Sequence, residues 1–164
     1  MKQDIELKDI RDLPRYHGEI ITTEYLDIMR HMNVRWYITL FSRAVTGLFN
    51  EIGMTEEYFR PGKAGSFALR QFINYLAEVR LGEEVSIHTR LVDRSKKKIH
   101  LVHFMVNESR EALSATMEAL ISHADLELRK TSPFPPEISS RIDSLVAESR
   151  GLSWPPPLSG AIEA

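Results

Sequence analysis

The longest periodic segment of this chain runs from Val34 to Ile52. Val34, Tyr37, Ile38, Phe41, Val45, Leu48, Phe49 and Ile52 recur at spacings of three and four, which predicts a helix with one broad apolar stripe. Asn33 stands before it as an N-cap, and Gly53 follows at the C′ position. A helix this apolar in a small domain calls for a sheet to cover it. Ahead of it, residues 16–23 include the β-branched run Ile20-Ile21-Thr22-Thr23 and read as a strand. Behind it, the loop Arg60-Pro61-Gly62-Lys63-Ala64-Gly65 leads into four strand-like runs, at 66–79, 84–92, 99–107 and 113–128. In the first run Phe67, Leu69, Gln71, Ile73, Tyr75, Ala77 and Val79 alternate with a more polar set. The connections at 80–83, 93–98 and 108–112 are short and polar, which favours antiparallel hairpins over helical crossovers. The run at 99–106 is apolar on both faces, so it is expected between two layers, or between the helix and a partner subunit.

The order is strand, long helix, then four antiparallel strands. It predicts an α+β fold in which a curved antiparallel sheet of about five strands wraps one long central helix. Ser132-Pro133-Phe134-Pro135-Pro136 ends the sheet, and a short helix is expected over 137–148. Residues 151–164, with Pro155-Pro156-Pro157, read as a Pro-rich tail that need not be ordered. The chain is therefore expected to divide into a folded domain, 1–131, and a C-terminal segment, 132–164.

Composition narrows the function. The net charge of −2 with dispersed basic residues argues against a nucleic-acid partner. The absence of cysteine excludes disulfides, thiolate nucleophiles and Cys-based metal sites. Residues 1–12 are charged and no apolar run of signal-peptide or transmembrane type follows, so a cytoplasmic location without membrane association is expected. His100 and His103 fall on opposite faces of one strand, the six histidines contain no His-x-x-x-His pair, and no metal is expected. There is no Gly-x-Ser-x-Gly elbow, and Gly62-Lys63-Ala64-Gly65-Ser66 lacks phosphate-loop spacing.

Candidate chemistry concentrates in Asp27-Ile28-Met29-Arg30-His31-Met32-Asn33-Val34-Arg35-Trp36-Tyr37. A carboxylate, an imidazole and a carboxamide sit within seven residues at the start of the long helix, where unpaired N–H groups and a partial positive charge are presented. A carboxylate aimed at an electrophile held there makes a hydrolytic site. Each residue also has a plainer reading: Asp27 as a turn carboxylate, His31 as a hydrogen-bonder, Asn33 as a cap and Tyr37 as core.

This segment resembles the start of the central helix in hotdog-fold acyl-CoA thioesterases, where Asp-x-x-Gly-His-x-Asn-x-x-x-Tyr recurs. The resemblance covers 16–129, most of the chain. It implies a hotdog fold, hydrolysis of an acyl-CoA to free acid and CoA, no cofactor beyond the substrate's own CoA, and assembly as a homodimer or homotetramer. In the 4-hydroxybenzoyl-CoA thioesterase branch the acidic residue of the motif is nucleophile or general base, which the resemblance places on Asp27. It makes His31 and Asn33 catalytic partners that orient the carboxylate, the substrate or water. Val34, Tyr37, Ser66, Phe67 and Tyr75 are then expected to bind substrate. One departure stands out: the motif's Gly is Arg30 here. If that backbone takes a positive φ, Arg carries a steric cost; alternatively, Arg30 reaches toward a substrate phosphate or carboxylate. The basic run Arg94-Ser95-Lys96-Lys97-Lys98 reads as a solvated hairpin tip, with a CoA phosphate contact as the alternative. Lys98-Ile99-His100-Leu101-Val102-His103 and Tyr75-Leu76-Ala77-Glu78-Val79-Arg80-Leu81-Gly82-Glu83 resemble thioesterase-like domains of carnitine and betaine catabolism, which adds betainyl-CoA to the candidate substrates. Two other readings remain within the fold. An enoyl- or hydroxyacyl-thioester hydratase-dehydratase places its His and acid farther along the helix, and this helix has Glu51 but no His after His31. A non-catalytic acyl-thioester-binding module is kept open by Arg30.

Overall fold

The computed structural model describes residues 5–164, so the first four residues of the charged lead-in at 1–12 lie outside the described residues. A single-turn helix α1 (Leu7–Arg11) and strand β1 (Arg15–Ile20) come first, followed by a 3-10 turn at Thr23–Tyr25. The long helix α2 (Val34–Ile52) and the one-turn α3 (Glu56–Phe59) precede β2 (Ala64–Tyr75), β3 (Glu84–Arg94), β4 (Lys98–Asn107) and β5 (Ala112–Asp125). A two-residue β6 (Lys130–Thr131) and α4 (Pro136–Arg150) complete the elements. The sheet order is β1-β3-β4-β5-β2, with β6 paired to β5. A curled antiparallel sheet with one long helix between its first and second strands is the expected hotdog arrangement, and the fold is α+β.

The chain forms two compact units: Met1–Gly47 with Ile73–Thr89 and His103–Met117, and Leu48–Phe72 with Arg90–Val102 and Glu118–Ala164. In the first unit α2 buries Tyr37, Leu40, Phe41 and Ala44, whereas Val34 and Ile38 are 55% and 45% exposed. The buried stripe is thus turned from the one read in the sequence, with Leu40 and Ala44 replacing Val34 and Ile38. Periodicity finds an apolar face but does not distinguish side chains covered by the chain's own sheet from those left at its rim. Gly47 marks a close approach, since a Cβ there would lie 2.7 Å from the Tyr16 carbonyl oxygen on β1. Beneath α2, the His103 ring stacks on Phe41 at 5.8 Å and shares a 2.7 Å hydrogen bond with Thr89 Oγ1. Its complete burial pushes the imidazole pKa down to about 3. The lead-in supplies structure too: Ile10 and Leu13 are buried, Arg11 pairs with Glu108 at 2.7 Å, and the Leu13 carbonyl lies 3.0 Å from His88 Nδ1. One turn of helix is too short to leave a periodic signal, which is why the sequence reads only as a polar lead-in.

In the second unit the end of α2 buries Leu48, Phe49 and Ile52, and Gly53 takes φ +93°, the left-handed C′ position expected of it. Helix α4 buries Ile138, Ile142 and Val146. The Arg90 guanidinium donates to Ser149 Oγ and to the carbonyls of Ser149 and Trp154, and lies 4.3 Å from the Trp154 ring centroid. His100 pairs with Glu118 at 2.8 Å, and the other Glu118 oxygen accepts the Ser159 N–H at 2.7 Å. The Pro-rich tail is therefore docked on the sheet. In this unit the C-terminal segment contacts β3 through Arg90 and β5 through Glu118. Arg94, read as part of a solvated basic tip, instead makes a two-pronged pair with Asp143.

Candidate active site

The site begins with a tight turn between the 3-10 turn and α2. The Arg30 N–H donates to the Asp27 carbonyl at 3.0 Å, the Asp27 N–H donates to the His31 carbonyl at 3.1 Å, and Asp27 Oδ1 accepts the Met29 N–H at 2.8 Å. Arg30 sits at φ +66°, in the left-handed region that the motif's Gly adopts freely. Of the two readings of Arg30, the backbone conformation with its steric cost is the one the structure shows. The side chain is exposed and does not line the cavity described below. Isolated bridges Leu26–Met32 and His31–Arg80, with a 2.7 Å bond from the Met32 N–H to the Val79 carbonyl, hold the turn against the chain beyond β2.

Asn33 joins this turn to the helix. Its N–H donates to the Tyr25 carbonyl at 2.8 Å, and its Oδ1 accepts the Arg35 N–H at 3.1 Å. That is the capping geometry expected of it. Among the described residues the Val34 N–H has no hydrogen-bond partner, so the helix start keeps a free donor.

A cavity of about 540 Å³ opens here, all of it in the first unit. Asp27, His31, Asn33, Val34, Tyr37 and Tyr75 line it, which brings six of the eight sequence-derived site residues together. Ser66 and Phe67 belong to the second unit and are not among its lining residues. His31 is loosely held, with Nδ1 at 3.5 Å from the Met32 carbonyl. Tyr37 is buried and meets the Tyr75 ring edge to face, with centroids 5.1 Å apart. Burial is the main cause that pushes the Tyr37 phenol up to about 12, so it stays a hydroxyl at any working pH.

Met29, Met32, Leu76, Ala77 and Glu78 complete the lining and were not read as site residues. The sequence predicts a strand through residue 79, but β2 stops at Tyr75. The N–H groups of Leu76 and Ala77 both donate to the Ser114 carbonyl, two residues opposite one, as in a bulge. That kink turns 76–78 toward the Asp27 turn. It depends on a distant strand and leaves no local pattern. Among the described residues no three His, Asp or Glu are grouped to hold a metal, and no helix is long and apolar enough to cross a membrane.

Comparison with known proteins places these features. The sequence model of the thioesterase-like superfamily matches residues 21–142. The betainyl-CoA thioesterase of Pseudomonas aeruginosa PAO1 is 26% identical over 135 residues, covering 82% of this chain and 85% of that protein. The L-carnitine dehydrogenase/betainyl-CoA thioesterase of Agrobacterium fabrum C58 is 28% identical over 137 residues, 84% of this chain but 28% of that longer protein. A Staphylococcus aureus protein solved in complex with CoA superposes with a TM-score of 0.82 at 23% identity, covering 93% of this chain and 96% of that one. At that identity the likeness speaks for the fold.

Proposed function

We propose, since the chain belongs to the thioesterase-like superfamily, that its helix-start cavity hydrolyses the thioester of an acyl-CoA to the free acid and CoA. Thioester hydrolysis is the activity that the family and the named relatives support. The single observation that carries the site assignment is that Asp27 and Val34, whose N–H is unpartnered, line the same cavity. Thioester hydrolysis needs both kinds of group. The carboxylate takes a proton from water, or itself attacks the carbonyl carbon. The carbonyl π electrons move to oxygen, and the N–H and the positive end of α2 stabilise the oxyanion that forms. When the carbonyl reforms, the C–S bond breaks and CoA leaves as its thiolate, which takes up a proton. If Asp27 attacked, water then cleaves the mixed anhydride. His31 and Asn33 orient the water or the thioester, and Val34, Tyr37 and Tyr75 border the acyl group. The relatives' names make a betainyl group the leading acyl candidate. The protein works in the cytoplasm as a homodimer or a pair of dimers, with residues 1–131 as the catalytic domain and 132–164 as its C-terminal cover.

The test is CoA release across an acyl-CoA panel, read by free-thiol detection, with wild type and Asp27→Asn compared. Asp27→Asn should lower kcat by at least about a hundredfold with the fold intact by circular dichroism. Turnover close to wild type would remove Asp27 from the mechanism. Binding of acyl-CoA without CoA release by the wild type would favour the binding-module reading.

A further inference from the structure

The cavity at the start of α2 carries more aromatic and negative character than thioester hydrolysis needs. Its lining residues include Asp27, Glu78, Tyr37, Tyr75 and two methionines, while no Lys or Arg among the described residues lines it. Tyr37 and Tyr75 stand at 86° to each other. An edge-to-face pair leaves at least one ring face free, and half-exposed Tyr75 has surface to offer. Glu78 Oε1 takes two guanidinium donors from Arg80, one at 2.7 Å. Arg80 is not a lining residue, so it fixes this carboxylate without placing a cation in the cavity.

Ring faces, thioether sulfurs and carboxylates all attract a cation. A quaternary ammonium has no N–H to donate, so it binds to diffuse negative surface of this kind and gains little from directed acceptors. An anionic acyl group held near Tyr37 and Tyr75 would meet acidic residues in the lining and no Lys or Arg there to pair it. Placement agrees with charge. Tyr37 follows Asn33 by four residues, about 6 Å along the helix axis. A group held at Tyr37 therefore lies within a short acyl chain of a carbonyl held at the helix start. A trimethylammonium joined to the carbonyl by one methylene has that reach.

The geometry points to Tyr37, Tyr75 and Glu78 as the residues that select an acyl group ending in a quaternary ammonium, of the betainyl type, over neutral groups of the same size. This rests on the thioesterase reading of the same cavity and adds the side chains that read the acyl charge.

The test compares kcat/KM for betainyl-CoA and 3,3-dimethylbutanoyl-CoA, which has the same shape with carbon in place of the charged nitrogen. Wild type should prefer betainyl-CoA by at least about tenfold. Tyr75→Leu should shrink that preference at least about fivefold, whereas Tyr75→Phe, which keeps the ring face, should retain it. Equal efficiencies in wild type would overturn the cation site while leaving thioester hydrolysis in place. A preference unchanged in Tyr75→Leu would overturn the assignment to the aromatic pair. If neither thioester is turned over, calorimetric titration with free betaine and with 3,3-dimethylbutanoate decides. Tighter binding of betaine that is lost in Tyr75→Leu upholds the cation site even as the thioesterase reading falls. Equal or absent binding of the two overturns it.

Discussion

Arg30 shows how one residue carries both a cost and a test. An L-residue in the left-handed region is strained by about 1–2 kcal/mol, and glycine would relieve this while loosening the unfolded chain by about 0.5–1 kcal/mol. Arg30→Gly should therefore raise stability by roughly 0.5–1 kcal/mol, seen as about 1–3 °C in Tm. Hydrolysis should be unchanged, because the Arg30 side chain does not line the cavity. A severalfold rise in KM for acyl-CoA at constant kcat would instead mean that Arg30 reaches the CoA phosphates. The same turn explains what was legible at this scale. Asp27, His31, Asn33, Val34 and Tyr37 lie in one unbroken stretch, where spacing along the chain nearly determines spacing in the cavity. Glu78 is held in place by a kink against Ser114, and a single sequence has no term for that contact.

The central helix was legible as an element, with the bounds its periodicity predicts, but its buried side was only half legible. Ala44 and Gly47 carry almost no hydrophobic signal, yet Ala44 is fully buried and Gly47 approaches β1 closely in the first unit. In an open helix, glycine is worse than alanine by about 0.5–1 kcal/mol. At Gly47 the sign should reverse. A methyl there would stand 2.7 Å from the Tyr16 carbonyl and 2.9 Å from its Cβ, so either the helix or β1 must shift. Gly47→Ala should cost about 1–3 kcal/mol and lower Tm by several degrees. Ser42→Ala, at an exposed position on the same helix, serves as the control and should be neutral or slightly stabilising. A Tm for Gly47→Ala at or above wild type would show that the contact with β1 relaxes without strain. The ends of strands and the one-turn helices were the least legible elements, because single hydrogen bonds to distant partners decide them.

At the scale of the whole molecule, the two edges of the sheet are treated differently. β1 is six residues long, shifts register between Arg15 and His17, and carries Arg15 and Glu19. A short, charged, irregular edge is a poor template for another strand. β2 is twelve residues long, contains no proline, and has Arg70 as its one charged residue, which is drawn aside to the Ala161 carbonyl. Phe67, Leu69, Phe72 and Tyr75 are exposed along it. An edge this long and apolar, left bare, would invite aggregation, and a second copy laid antiparallel across a two-fold axis would cover it with identical residues from each chain. Sedimentation equilibrium at micromolar concentration should therefore give twice the 18.9 kDa chain mass, or four times if dimers pair. Leu69→Lys places a charge in the middle of that edge and should shift the distribution toward the single chain. A single-chain mass for wild type would mean that β2 is covered by something other than a second copy, and the assembly proposed here would have to be abandoned.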